Sequence, residues 1–177
     1  VFGCDNQVNE VHAFAMFDYY YSKGGKVFDT AYIYNHGLSD KYLGDWINSR
    51  NLKDVVVLGK GAHTPDCFPE KIRPQIEESL SRGNIDKLDI YCLHRDNLDV
   101  PVTEFIDALN DCKKEGLIDV LGASNWELER FKSANDYAHE HQKAGFKVLS
   151  NNFSLARMIE PVWPGCFSCD ETYLKYL

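Results

Sequence analysis

Residues 55–97 read VVVLGKGAHTPDCFPEKIRPQIEESLSRGNIDKLDIYCLHRDN, an apolar run followed by an amphipathic stretch and a second apolar run. Lys60 closes the first run, and His94 follows the second run 34 positions later. This spacing fits one strand, loop and helix, so the two runs are expected to form adjacent parallel strands. Because parallel strands end at the same edge of a sheet, the stretch predicts that both side chains reach one site.

The rest of the chain repeats this alternation of apolar runs and amphipathic stretches. The runs predict strands at Val1 to Gly3, Lys26 to Asp29, Asp54 to Lys60, Leu88 to His94, Ile118 to Ala123 and Lys147 to Asn151. The stretches between them predict helices at Val8 to Ser22, Ser39 to Asn48, Glu70 to Ser81, Pro101 to Lys114, and from just beyond Asn125 to about Lys143. The segment ETYLKYL, residues 171–177, looks like the start of a sixth helix.

Two details of these helices are specific predictions. Val8, Val11, Ala15 and Tyr19 share one face of the first helix and are expected to face the core. Asn125 is a plausible N-cap for the fifth helix, since its short polar side chain can bind free backbone N–H groups.

The alternation favours an α/β fold with a parallel sheet, either an open doubly wound sheet or a barrel. A dinucleotide-binding open sheet is expected to carry G-x-G-x-x-G after its first strand. Neither this run nor a G-x-x-x-x-G-K-[ST] phosphate loop is present in the sequence. The barrel is therefore the favoured architecture.

The composition is that of a globular protein with a sizeable core, since 44% of the residues are hydrophobic and 26% are charged. Nineteen Lys and Arg against 27 Asp and Glu give a net charge of -8, the wrong sign for binding nucleic acid phosphates or anionic lipid. The sequence has no apolar stretch of the roughly 20 residues that cross a bilayer and no signal-peptide pattern. We therefore expect a cytoplasmic protein with neither a nucleic-acid nor a membrane partner.

The six cysteines are scattered over predicted strands, helices and loops, which fits reduced, packed thiols better than a disulfide framework. Cys166 and Cys169 form a C-x-x-C, but no second pair at zinc-finger spacing accompanies them, and no metal site is expected. A pair of carboxylates at strand ends is also missing, so glycoside chemistry on a barrel lacks support.

Asp29 and Tyr34, in VFDTAYIY at residues 27–34, join Lys60 and His94 in a set of four residues that suits a proton-relay site. Each of the four closes or just follows an apolar run, and barrel enzymes build their sites at the carboxyl ends of strands. A lysine that closes a buried strand normally has a charge partner. A lone histidine is more often structural, so the combination carries the prediction.

Five segments together resemble the aldo-keto reductases: FDTAYIYNHG (28–37), VVVLGKG (55–61), LDIYCLHRDN (88–97), LIDVLGASNW (117–126) and the weaker SNNFSLAR (150–157). The resemblance covers essentially the whole chain and implies a (β/α)8 TIM barrel that reduces a small-molecule carbonyl substrate with NADPH, with NADH as an alternative. It looks closest to a bacterial branch that carries HRD after the fourth strand and FSLA followed by W-P-G-C.

The resemblance also implies catalytic roles. Tyr34 would give a proton to the carbonyl oxygen while hydride arrives from the nicotinamide, and His94 would orient the carbonyl through a hydrogen bond to its oxygen. A free tyrosine, with a pKa of about 10, is a reluctant donor. The Lys60 ammonium would stabilise the developing phenolate, and Asp29 would keep that ammonium charged and in place.

For the cofactor, the resemblance implies that Ser124 and Asn125 hold the nicotinamide carboxamide, with Asp29 also in the cofactor-binding set. Ser150 stands where many relatives carry a glutamine for the same amide. This is a departure from the family pattern, because a serine hydroxyl is shorter than a glutamine amide and does not supply both an amide donor and a carbonyl acceptor.

Ile33, Arg95 and Trp126 are the candidate substrate-binding residues. Trp126, like Tyr32 and Trp163, is equally compatible with ordinary packing, because aromatic side chains dominate cores as well as sites. Arg95 is equally compatible with an ion pair at the rim of the barrel.

The chain stops at Leu177, where the resemblance implies two further strand and helix units. We therefore expect a C-terminally truncated member of the family, with about six βα units in one partial barrel domain over residues 1–177. An incomplete barrel exposes two sheet edges, which predicts self-association. The alternative to a carbonyl reductase is a truncated, non-catalytic module that oligomerises or regulates.

Overall fold

The computed structural model describes residues 9–156 and 158–177, which form a parallel sheet with helices between its strands. The strands are β1 Val27–Asp29, β2 Val56–Gly61, β3 Leu88–Leu93, β4 Ile118–Ser124 and β5 Val148–Ser150. The helices are α1 Glu10–Ser22, α2 Leu38–Ser49, α3 Pro69–Gly83, α4 Val102–Lys114, α5 Leu128–Glu140 and α6 Glu171–Tyr176.

The five strands lie in chain order and every neighbouring pair is parallel. A strand that leads through a helix to the next parallel strand is the repeating unit of a (β/α) barrel. The curled sheet is part of such a barrel, which confirms the predicted fold class. Because all five strands run the same way, their carboxyl ends meet at one edge.

The core lies between the outer helices and the sheet, and bulky side chains fill it. Trp46 of α2 packs against Phe17 of α1 and Phe28 of β1, with ring centroids 5.4 and 4.9 Å apart. Near the other end of the sheet, Phe131 of α5 stacks on Phe146, with ring centroids 5.5 Å apart. Full burial of an aromatic side chain stabilises the fold by roughly 1.5–3 kcal/mol, so these contacts fix the helices against the strands.

Three sequence-based predictions need correction or fall outside the described residues. The predicted strand at residues 1–3, and Val8 of the predicted first helix, lie outside them. The buried face of α1 is formed by Ala13 and Phe17, whereas Val11 and Tyr19 are 78% and 68% exposed, so the predicted face was wrong. This helix is apolar on several sides, and the aromatic partners of Phe17 decide which side is buried.

The predicted cap of α5 was also wrong. The N-cap is Glu127, and Asn125 adopts a left-handed backbone conformation with φ 57° two residues earlier. Asparagine tolerates this conformation better than most residues, which explains its place in the turn between β4 and α5.

Candidate active site

The carboxyl ends of β1, β2 and β3 place the predicted catalytic residues side by side. Asp29 is the last residue of β1, Lys60 lies near the end of β2, and His94 directly follows β3. Backbone hydrogen bonds extend the pairing beyond the strands: the amide of Tyr32 donates to the carbonyl of Lys60 at 2.8 Å, and that of His94 donates to Gly61 at 2.7 Å. These bonds fix the three strand ends in register.

The structure brings Asp29, Tyr34, Lys60 and His94 together. The Lys60 ammonium is 4% exposed and forms an ion pair with the Asp29 carboxylate, which is the charge partner expected of a buried lysine. The same ammonium lies 5.0 Å from the centroid of the Tyr34 ring. The rings of Tyr34 and His94 meet edge to face at 5.5 Å. All four side chains line one cavity of about 420 Å³.

His94 is buried and electrically neutral near pH 7. Burial, with a further contribution from the neighbouring Lys60 and Arg95 charges, lowers the pKa of its imidazole to about 3. The His63 ring packs edge to face against it at 4.8 Å. Its Nδ1 has no hydrogen-bond partner among the described residues. A neutral imidazole carries one N–H, which it can donate to a carbonyl oxygen.

The loop that carries Tyr34 has an unusual backbone. Asn35 and His36 have φ values of 48° and 53°, and Gly37 follows with φ 89°. This conformation favours glycine at position 37, and a β-carbon there would also displace the guanidinium of Arg82. Three successive left-handed residues turn the chain sharply from Tyr34 into α2.

Arg82, near the end of α3, holds this loop from outside the cavity. Its guanidinium donates to the Tyr32 carbonyl at 2.8 Å and lies over the Tyr32 ring at 4.4 Å. It also pairs with Glu78 at 2.6 Å, and Glu78 accepts a hydrogen bond from the Tyr32 hydroxyl at 2.8 Å. Sequence reasoning missed Arg82. The spacing of Glu78 and Arg82, four positions apart on a helix, indicates an ion pair but gives no hint of the loop.

A second link joins the loop to α2. The Thr30 hydroxyl donates to the buried Asp40 carboxylate at 2.6 Å, and the Arg82 guanidinium lies 3.8 Å from the other Asp40 oxygen. Burial raises the pKa of Asp40. The segment that leads into Tyr34 therefore has polar attachments to both α2 and α3.

The predicted cofactor residues lie together at the ends of β4 and β5. The Ser124 hydroxyl donates to the backbone carbonyl of Ser150 at 2.9 Å, and the Asn125 side-chain NH₂ donates to the Ser124 hydroxyl at 3.0 Å. This arrangement leaves the Asn125 carbonyl oxygen as an acceptor on the wall of the 420 Å³ cavity, which Ser150 also lines. A primary amide group fits such a wall, since it supplies the matching donors.

A second cavity, of about 660 Å³, opens on the other side of Tyr34 and His94. Ile33, Arg95 and Trp163 line it, and Ile33 and Trp163 are 43% and 65% exposed. His36 and His63 also line it, and sequence reasoning had not singled them out. Tyr34, His94, Arg95 and Trp163 belong to both cavities and form the boundary between them.

Trp126 does not line either cavity. Its side chain is fully buried, packs against Phe105 and Phe146 at 6.0 and 5.1 Å, and donates from its indole nitrogen to the Arg95 carbonyl at 3.3 Å. The proposed substrate contact of Trp126 therefore disagrees with its position, which is that of a core residue supporting the segment after β3. Tyr32 is likewise engaged with Arg82 and Glu78 rather than with the cavities.

Residues 9–156 and 158–177 contain no group of three or more His, Cys, Asp or Glu side chains arranged to bind a metal. Within the same residues, no helix is both long and apolar enough to pass through a membrane. Five cysteines, Cys166 and Cys169 among them, are free thiols.

Comparison with known proteins gives a match to a family profile described as the aldo/keto reductase family, over residues 1–163. Norsolorinic acid reductase B of Dothistroma septosporum is 29% identical over 158 residues, which cover 81% of this chain and 40% of that protein. Aldo-keto reductase ausK of Aspergillus calidoustus is 28% identical over 160 residues, covering 82% and 40%. A protein of Saccharomyces cerevisiae named "Probable aryl-alcohol dehydrogenase AAD4" is 26% identical over 163 residues, covering 84% and 50%.

The chain thus spans half or less of the length of these relatives. The match confirms the family that the sequence motifs resemble. The relatives named above are fungal, and they give no support to the bacterial branch that the HRD and FSLA segments suggested.

Proposed function

This chain belongs to the aldo/keto reductase family, and we propose that it carries the catalytic centre of an enzyme that reduces an aldehyde or ketone to an alcohol. Reductase-named relatives support carbonyl reduction in general. The observation that carries the proposal is the ion pair of Lys60 and Asp29 beside the Tyr34 ring, with the neutral His94 ring packed edge to face against that ring.

In the proposed reaction, Tyr34 donates its phenolic proton to the carbonyl oxygen as that oxygen becomes an alkoxide. The buried Lys60 ammonium stabilises the phenolate that remains on Tyr34, because opposite charges attract strongly where water is excluded. The Asp29 carboxylate keeps the ammonium charged and fixes its position. Proton transfer from a positioned side chain typically contributes 10²- to 10⁴-fold to a rate.

His94 orients the substrate in this proposal. Its neutral ring donates one N–H to the carbonyl oxygen, while a protonated ring would compete with Tyr34 as the proton donor. The burial that keeps the pKa of His94 at about 3 therefore serves the assignment of Tyr34 as the acid.

We propose NADPH as the cofactor, with NADH as the alternative, and Ser124, Asn125 and Ser150 as the residues that hold its nicotinamide carboxamide. The free Asn125 carbonyl oxygen and the Ser150 hydroxyl on this wall supply an acceptor and a donor for an amide, while Ser124 holds Asn125 in place. When bound, the cofactor supplies the hydride. Asp29 borders the same cavity and shares in the binding site through Lys60.

The test replaces Tyr34 with phenylalanine, which removes one hydroxyl and leaves the ring. We expect reduction of a simple aromatic aldehyde by NADPH to fall by about 10²-fold or more, while urea unfolding changes little. Tyr19→Phe, at an exposed position of α1, is the matched control and should retain full activity. Equal activity of Tyr34→Phe and the wild type would refute Tyr34 as the proton donor.

A second candidate, a non-catalytic module that self-associates, is favoured by one feature of the sheet. Within the described residues, β1 and β5 each pair with a strand on one side only. Unpaired strand edges favour pairing with another chain. Loss of turnover in the wild-type chain together with stable oligomers would favour this candidate over the reductase.

A further inference from the structure

The 660 Å³ cavity beside Tyr34 is largely apolar and aromatic. Its walls include Ile33, Trp163 and Pro164, together with the rings of Tyr34 and His63. Such a lining suits the body of an aromatic or otherwise apolar molecule. It therefore selects the shape of a ligand, and uncharged polar side chains on the same wall, such as Asn35 and Thr64, can bind its polar groups.

Arg95 is the exception on this wall. Among residues 9–156 and 158–177, it is the only one lining the cavity that has a permanent charge. Its guanidinium is partly buried and donates to the backbone carbonyl of His94 at 3.1 Å. A guanidinium has five N–H donors, so this bond leaves most of them available.

The described residues provide no carboxylate for Arg95. None of the ion pairs formed within residues 9–156 and 158–177 includes it. The adjacent Asp96 is already used, because its two oxygens accept from Arg130 at 2.9 and 3.2 Å. A partly buried arginine with spare donors on the wall of a cavity is suited to bind a carboxylate from outside the chain.

We propose that Arg95 binds a carboxylate of the substrate, so that the enzyme reduces anionic carbonyl compounds with an apolar, preferably aromatic, body. This inference rests on the proposed function, since it names the substrate class of the same site. Arg95 directly follows His94 in the chain, so a bound carboxylate and the carbonyl that meets His94 would be held at two neighbouring points. Two-point binding would orient the carbonyl toward Tyr34.

Arg95 also borders the 420 Å³ cavity with Ser124 and Asn125. A contact with a cofactor phosphate is therefore the competing role for its charge. The two roles differ in what they change: a substrate anchor affects only substrates that carry an anion, whereas a cofactor anchor affects every substrate equally.

The test compares 3- and 4-carboxybenzaldehyde with their methyl esters as substrates at saturating NADPH. For the wild type we expect kcat/KM to favour at least one acid over its ester. In Arg95→Gln that preference should fall by about tenfold or more, mainly through KM, as expected when a hydrogen bond to a charged group is lost. Arg95→Lys should recover part of it. Lys87→Gln removes a surface cation just before β3, at the opposite end of that strand, and should keep the wild-type ratio.

An acid-to-ester ratio that is unchanged in Arg95→Gln would overturn the proposal. So would an equal loss for acids and esters accompanied by a raised KM for NADPH, which would assign Arg95 to the cofactor. If neither the wild type nor any variant reduces any aldehyde, the proposed function fails. Calorimetric binding of the same acids and esters then tests separately whether Arg95 binds a carboxylate. Preferential binding of an acid that is lost in Arg95→Gln would support the carboxylate site, and equal binding of acid and ester would refute it.

Discussion

The wild-type chain is expected to lose stability as the pH falls below 6.5. Replacing His94 with glutamine is expected to remove this loss. Burial lowers the pKa of His94 from 6.5 to about 3. Between these values the unfolded chain binds a proton on His94 that the folded chain does not, so the free energy of unfolding decreases as the pH falls. From pH 7.5 to pH 5.0 the loss amounts to about 2 kcal/mol, at roughly 1.4 kcal/mol for each pH unit below 6.5.

Urea unfolding at pH 5.0, 6.0 and 7.5, followed by tryptophan fluorescence, measures this effect. Asp40 acts in the opposite direction, because its raised pKa gives stability that is lost as the pH rises. Asp40 is present in both proteins, so its effect cancels when the free energy of unfolding of His94→Gln is subtracted from that of the wild type. This difference should be about 2 kcal/mol lower at pH 5.0 than at pH 7.5. His139→Gln, at an exposed position on α5, should follow the wild type. A difference that stays constant with pH would refute a buried, neutral His94.

Three further results are expected. Gly44→Ala should lower the free energy of unfolding in urea by about 1–3 kcal/mol, because the new β-carbon would overlap the carbonyl oxygen of Gly83 where α2 meets α3. An unchanged urea midpoint would mean that these helices separate easily. Arg82→Gln should lower kcat with little change in substrate KM, because the Tyr34 loop loosens, and Arg82→Lys should recover part of the loss. Lower stability at an unchanged kcat would leave Arg82 a structural role only. Sedimentation at increasing concentration should detect association through β1 and β5, and a monomer throughout would argue against it.

The positions of the strands and of the four central site residues could be predicted because two simple signals coincide. An apolar run marks a buried parallel strand, and a polar residue at its end marks the edge where strands meet. Lys60 and His94 carry both signals. The structure places Lys60 near the end of β2 and His94 directly after β3, as expected. The ion pair with Asp29 follows from the cost of burying a lone ammonium.

Features that depend on tertiary contacts were not predictable in the same way. Arg82 lies 50 positions from the carbonyl that it binds, and in the sequence it is one more charged residue on an amphipathic helix. Trp126 follows two predicted cofactor residues, yet its indole turns into the core against Phe105 and Phe146. Sequence spacing identifies the strand end, but packing decides which side chains there face the cavity.

The distribution of charge connects the site to the rest of the chain. The whole chain has a net charge of -8, yet the permanently charged residues that line the two cavities, within the described part of the chain, are Asp29, Lys60 and Arg95. The first two neutralise each other and His94 is neutral, so these described residues leave the positive charge of Arg95 without a counter-charge. An acidic surface repels anions, while a partly buried positive charge attracts them at short range. Only an anion whose shape fits the cleft would gain from that charge, which suits the carboxylate-bearing substrate proposed for this edge of the sheet.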